Sequence, residues 1–359
     1  MRPRSFTAGV IFLLLALSMA GCLHSRISPE AILDAGQIDA ATFRFSALDS
    51  YDPDGAIVSI LWDFGDGATE PGAVRTHKYA QPGEYTVTVE VTDDDGLTAW
   101  AETLVTAHRE ILVPGDYETI QGAIDAASDG DTITLAGQTF AEYFRFTGKA
   151  ITVRGEGQTE TTLGPPPIGA GQEATAIVTF ADGETRDAIL ENLTIQGSPW
   201  SFFVGSAIRV SGASPIVRGC IISSHRATFG GAVTIYESGA LFESNRFLNN
   251  QASVDGGAVN VVGTSKFPDF LGNTFTGNIA NAGGAICLRA GDGTAIAESA
   301  KLSSIDGNTF TANQLLSSRL ATSLAGGAIH VGSGVRVILG SNTFDGNLPS
   351  DVLYEDVGL

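Results

Sequence analysis

Between Ala41 and Ala107 the chain alternates apolar and polar residues with a period of two, in short stretches. "ATFRFSA" (41–47), "SILWDF" (59–64), "EYTVTVEVTD" (84–93) and "TAWAETLVTA" (98–107) are separated by the turn-forming runs DPDG, GDG, QPG and DDDG. In the third stretch Tyr85, Val87, Val89 and Val91 share one face of a strand, and Thr86, Thr88 and Glu90 share the other. Such strands, closely spaced and bounded by turn residues, predict a β-sandwich over residues 28–107. Trp100 is expected to pack at its edge. A linker at 108–114 follows, and then the period changes. Ile120, Ala123, Ile124 and Ala127 fall on one face of a short helix, which Gly130 stops. "DTITLAG" and "KAITVRGEG" then begin a series of strands.

From there to the end the pattern repeats. One frame reads "LENLTI" (190–195), "VRGCII" (217–222), "FESNRF" (242–247), "FLGNTF" (270–275), "IDGNTF" (305–310) and "LGSNTF" (339–344). Its last apolar position falls at Ile195, Ile222, Phe247, Phe275, Phe310 and Phe344, in steps of 27, 25, 28, 35 and 34 residues. A second frame reads "SAIRV" (206–210), "GAVTI" (231–235), "GAVNV" (257–261), "GAICL" (284–288) and "GAIHV" (327–331). A repeat of this length with two strands predicts a solenoid of parallel strands over 115–359. The longer steps map to loops around 290–303 and 313–325, which decorate one rung without adding another. Insertions of that kind sit on the functional face of many solenoids. The helix ahead of the stack would cover its exposed end.

The columns assign roles. Phe247, Phe275, Phe310 and Phe344 are expected to stack inside the coil, about 4.8 Å apart per rung. Asn245, Asn273, Asn308 and Asn342 share an inward column at a bend, where amides bond backbone and each other. Cys220 takes that column one rung earlier and is expected to be an inert buried thiol. The glycine pairs 230–231, 256–257, 283–284 and 326–327 suit a tight corner.

Several runs resemble known families. "DPDGAIVSILWDFGDG" (52–67) followed by "HKYAQPGEYTVTVEVTDDDG" (77–96) resembles a PKD domain, which implies an immunoglobulin-like sandwich with Trp62 in its core. The implied role is spacing, protein contact or polysaccharide contact outside the cell. The helix and first strands resemble the start of right-handed parallel β-helix proteins of the pectin-lyase type. The GGA[IV] and FxxN elements are similar to the repeats of polymorphic outer membrane proteins, which implies a β-helical, adhesive surface domain. The expected fold class is therefore all-β: a PKD sandwich, then a right-handed parallel β-helix with an N-terminal capping helix.

Charge and termini narrow the setting. The formal net charge is −20 over 359 residues, with four lysines, Lys78, Lys149, Lys266 and Lys301. Such a chain repels phosphates, so no nucleic-acid partner is expected. Residues 1–22 have the layout of a secretory signal: Arg2 and Arg4, the apolar run 10–17, then Met19-Ala20-Gly21-Cys22. The tetrapeptide resembles a bacterial lipobox, which implies cleavage before Cys22 and a lipid on its thiol. The expected location is outside the cytoplasm, anchored by that lipid at the outer membrane or cell surface. Two cysteines then remain, Cys220 and Cys287, too few for a disulfide framework.

Candidate chemistry lies on the outward positions of the second frame. Arg209, Thr234, Asn260, Cys287 and His330 form one outward column, and Ser211, Tyr236, Val262, Arg289 and Gly332 the next. Alanines 207, 232, 258, 285 and 328 leave a shallow floor beside them. Arginine, amide and tyrosine over a flat strip suit sugar rings, with Tyr236 as stacking face. The ligand-binding candidates are Arg209, Thr234, Tyr236, Asn260, Arg289 and His330. Arg289 and His330 are also the one pair with catalytic potential, for a polysaccharide lyase or glycoside hydrolase of this fold. No paired carboxylates of the kind a hydrolase needs stand out. Glu191, Arg218 and Glu243 read as a surface ion ladder. Asp52, Asp54, Asp93 and Asp95 invite calcium, although aspartate also builds such turns unaided. No other cofactor is expected. Three functions stay open: binding of a polysaccharide or cell-surface partner, polysaccharide cleavage, and a structural envelope role.

Overall fold

The computed structural model describes residues 26–167, 176–197, 206–291, 302–316 and 326–354, which form two compact units. The first is a sandwich of two sheets. One is ordered Asp34–Gln37, Thr42–Ser46, Val74–Lys78; the other is ordered Thr69–Pro71, Ile57–Asp63, Gly83–Asp93, Thr98–Ala107. The period-two pattern is realised as read: Val87, Val89 and Val91 are buried beside Phe45, Trp62 and Phe64. Trp62 is fully buried, and its indole Nε1 donates to Gly72 O at 2.7 Å, so the polar atom costs the core nothing. Trp100 departs from expectation. It is 63% exposed, because it shares parity with Glu102 and Leu104, the residues that face away from the core.

The second unit is a coil of parallel strands. Three long sheets run along it: nine strands from Glu110–Val113 to Val337–Leu339, eight from Thr139–Ala141 to Thr343–Asp345, and eight from Phe144–Arg145 to Val352–Tyr354. A fourth, of Arg226–Phe229, Gln251–Asp255, Ile279–Ala280 and Gln314–Leu315, lines the middle rungs. The two-strand repeat expected from the sequence is thus a rung of three strands, locally four. Five of the six frames are bent in the middle at a left-handed residue, where Asn192, Gly219, Ser244, Gly272 and Gly307 have φ between 54° and 65°. A left-handed residue turns the chain by a corner and splits one apparent strand into two. The expected linker is also partly sheet: Glu110–Val113 pairs in parallel with Thr132–Leu135 and opens the nine-stranded face.

The helix Ile120–Ala126 buries Ile120, Ala123 and Ile124 in the same core as the first strands, as its periodicity predicts. Thr119 caps its N-terminus by accepting from Gly122 N. Lys149 closes the other end. Its Nζ donates to the carbonyls of Ile124, Asp125 and Ala127 at 2.7–2.8 Å, a cation at the negative end of the helix.

Inside the coil the phenylalanines stack nearly parallel. Ring centroids are 4.7 Å apart for Phe247–Phe275, 4.9 Å for Phe275–Phe310 and 5.1 Å for Phe310–Phe344. Two asparagine ladders flank this stack. In the expected one, Asn245 N and Nδ2 both donate to Asn273 Oδ1, and the pattern repeats to Asn342. The other runs through Asn250, Asn278, Asn313 and Asn347, the final residue of each FxxN element. Cys220 heads the first ladder, its N donating to Asn245 Oδ1, and burial pushes its thiol up to about 12. His225 heads the second in the same way.

Candidate functional site

The third face, beginning at Phe144–Arg145, carries both outward columns. Register places Arg145, Thr179, Arg209, Thr234, Asn260, Cys287 and His330 in one line, one per rung. Ser211, Tyr236, Val262 and Arg289 form the next. The alignment holds, but its exposure does not. Arg209 is exposed, Thr234 is half-buried and Tyr236 is 37% exposed, whereas Asn260, Cys287 and His330 are buried.

The contacts give part of the reason for this correction. Arg289 folds back across the strand, with Nε 3.3 Å from Cys287 Sγ and Nη2 3.0 Å from Asp255 Oδ1. It therefore lies over Cys287, with the guanidinium that was expected to bond ligand hydroxyls engaged by Asp255. Asp255, in the fourth sheet, is the carboxylate that the sequence pattern did not place beside Arg289. Asn260 Oδ1 is buried without a hydrogen-bond partner among the described residues. The decorating loops fall largely outside the described residues.

The open part of the face lies toward the first rungs. There a cleft of about 790 Å³ is lined by Tyr143, Arg145, Thr179, Arg209, Phe229 and Tyr236, among others. Arg145 is held by Asp182 at 3.0 Å. Arg209 makes no ion pair among the described residues, and its guanidinium carbon sits 6.0 Å from the Tyr236 ring centroid. Thr234 Oγ1 is engaged by Ser206 Oγ at 2.5 Å and donates to Phe229 O, so it shapes the cleft wall. The Tyr143 hydroxyl is buried without a hydrogen-bond partner among the described residues, and burial raises its pKa. No carboxylate, histidine or lysine is among the described residues lining the cleft.

Tyr143, Arg145, Thr179 and Phe229 escaped the sequence reading. The first three precede the GGA-bearing rungs, and for Arg145 and Thr179 the register with Arg209 is the signal that could have found them. Phe229 lies in the fourth sheet, which no frame marked.

The remaining candidates fall elsewhere. Arg218 Nε lies 2.6 Å from Glu191 Oε2 on another face, consistent with an ion ladder. In the sandwich, Asp93 Oδ1 accepts from Asp95 N and Leu97 N. Asp54 accepts from Ile27 N, and Asp52 Oδ1 from Asp54 N. Asp95 pairs with Arg26. Among the described residues no three His, Cys, Asp or Glu side chains converge to hold a metal. No described helix is long and apolar enough to cross a membrane. Cys22 and the signal lie outside the described residues.

Residues 28–107 match the family model of the PKD domain, and residues 176–348 match that of the right handed beta helix region. A microbial collagenase of Vibrio alginolyticus is 46% identical over 82 residues, 22% of this chain and 10% of that protein. The chain thus spans about a tenth of the length of this curated relative. Among solved structures, the PKD1 domain of the Vibrio cholerae metalloprotease PrtV is 36% identical, with 23% of this chain and 98% of that one covered, at a TM-score of 0.22. A pectin methylesterase in complex with a hexasaccharide is 14% identical over 70% of this chain and 78% of its own, at a TM-score of 0.43.

Proposed function

We propose that this is an exported, lipid-anchored surface protein that holds a polysaccharide chain in the cleft on the third face of its β-helix. The observation that carries the reading is the composition of that cleft. The exposed aromatic rings of Phe229 and Tyr236 offer stacking faces, Tyr143 lines the cleft beside them, and Arg209 offers a guanidinium with no ion-pair partner among the described residues. Sugar recognition needs those two things. Hydrolysis needs a pair of carboxylates, and elimination needs a base in reach of the substrate. The described lining has neither carboxylate, histidine nor lysine, Arg145 is held by Asp182, Arg289 and His330 lie away from the cleft, and Arg209, the one cleft arginine without an ion-pair partner among the described residues, serves as donor to ligand oxygens. The geometry therefore supports binding over cleavage.

The test incubates the exported part of the chain with a panel of polysaccharides and follows retention and new chain ends together. Retention without new ends is expected, weakened at least tenfold in Arg209→Ala and in Tyr236→Ala. Appearance of new chain ends would overturn the binding reading in favour of a lyase or hydrolase. Unchanged retention in both variants would move the site off this face.

A further inference from the structure

We propose that the sandwich carries a second recognition surface, independent of the β-helix cleft: the edge strand Thr98–Ala107 and the face beside it dock an extended, lysine- or arginine-bearing polypeptide. The strand is last in the order of its sheet and pairs on one side with Gly83–Asp93; no further strand pairs with its other side among the described residues. Exposed sheet edges recruit a foreign strand unless something blunts them, and lysine, proline and bulges are the usual means. "TAWAETLVTA" contains neither proline nor lysine, and its single charge is Glu102. A partner strand would gain backbone hydrogen bonds along that edge.

The face beside the edge says what side chains the partner carries. Leu61 stands opposite Glu90, and Asp63 opposite Thr88, on the side away from the core. Trp100 joins that face, since its Nε1 donates to Glu90 Oε2 at 2.8 Å. Trp100, Leu104 and Leu61 are 63%, 60% and 43% exposed, a large apolar surface to leave in water. The charged residues among them, Asp63, Glu90 and Glu102, are all acidic. The ion pairs within this unit, Arg26–Asp95, Arg75–Glu70 and His77–Asp66, use other carboxylates. The indole N–H is already taken by Glu90, so what Trp100 presents is its ring face, flanked by two carboxylates. A cation over that face gains both a π contact and ionic attraction. Side chains on alternate positions of an added strand would land beside Trp100, Glu102 and Leu104 in turn. This periodicity favours a polypeptide over an amino-sugar polymer.

The experiment measures binding of a ten-residue peptide alternating lysine and threonine to the exported chain, by calorimetry at low and moderate salt. Three comparison ligands accompany it: the same peptide with glutamate for lysine, the same peptide N-methylated on one backbone edge, and a glucosamine oligomer. Salt-sensitive binding of the lysine peptide is expected, reduced at least tenfold by N-methylation, by Trp100→Ala and by the pair Glu90→Gln and Glu102→Gln. The glutamate peptide is expected not to bind. Absence of lysine-peptide binding, or equal binding to the variants, would overturn the proposal. Equal binding of the N-methylated peptide would overturn the strand pairing. Tighter binding of the glucosamine oligomer would reassign the face to an amino sugar. None of these outcomes touches Arg209 or Tyr236, so failure here and failure of the cleft reading are distinguishable.

Discussion

Single buried polar residues carry an unusual share of this fold. Asn278 accepts from Asn250 N and Nδ2 through its Oδ1, and its Nδ2 donates to Phe247 O and Asn313 Oδ1. Truncation leaves a backbone N–H and a carbonyl unpaired where water does not reach. Asn278→Ala is expected to cost about 3 kcal/mol, read as a lower urea midpoint of the β-helix unit; the half-buried Thr276→Ala beside it serves as the control. His225 stands at the head of the same ladder with Nδ1 lacking a partner among the described residues and Nε2 3.2 Å from Ile195 O. Burial lowers its pKa from 6.5 to about 4. As pH falls below about 6.5 the unfolded chain takes up a proton that the folded chain refuses. Stability is therefore full above that pH and declines toward pH 4, by about 3 kcal/mol in all. Chemical denaturation between pH 7 and 4 checks this, and His225→Asn should flatten that part of the profile. The sequence showed the first asparagine column by its place in a six-residue frame. The second was visible only as the end of FxxN, because a ladder is recognised by its neighbours on other rungs.

At the scale of strands and stacks, the coil is stabilised by contacts that repeat from rung to rung. Phe275 stacks between Phe247 and Phe310 at 4.7 and 4.9 Å. Phe275→Ala is expected to cost about 4 kcal/mol, with Phe275→Leu costing much less. Hydrogen exchange should show the loss spreading to the strands Arg246–Leu248 and Thr309–Thr311, since each rung is supported by its neighbours. Corners are equally exacting. A Cβ on Gly257 would lie 2.0 Å from Gly284 O and 2.5 Å from Ile279 N, so Gly257→Ala requires the backbone of the next rung to move. The variant should lower the thermal midpoint more than Thr276→Ala does. The mid-frame corners explain why the hydrophobic pattern shows two strands per rung where the structure has three. A left-handed residue at Ser244 or Asn192 leaves no trace in hydrophobic periodicity, since the apolar residues on both sides still point inward.

For the whole molecule, export and metal content are the properties to test. Cys22→Ser is expected to abolish incorporation of labelled fatty acid into the protein, checked by metabolic labelling of expressing cells. The aspartates at 52, 54, 93 and 95 each turn one oxygen to a backbone N–H or an arginine, while Asp93 Oδ2 is buried without a hydrogen-bond partner among the described residues. Since no three such side chains converge among the described residues, chelator is expected to leave the sandwich's thermal midpoint unchanged, and a calcium-dependent rise that vanished in Asp93→Asn would assign an ion there.

The sequence by itself determined the sandwich strands, the stacking rungs, the inward phenylalanine and asparagine columns and the capping helix. Each follows from short-range periodicity, which states on which side of a strand a residue lies. It also aligned the outward columns correctly. Only the tertiary structure decided which of those outward residues meet solvent. Arg209 and Tyr236 remain open, Cys287 is covered by Arg289 reaching to Asp255, and Trp100 stands clear of any edge packing. Parity fixes a side chain's direction; what lies over it is set by segments tens of residues away in the chain, and no local pattern encodes that.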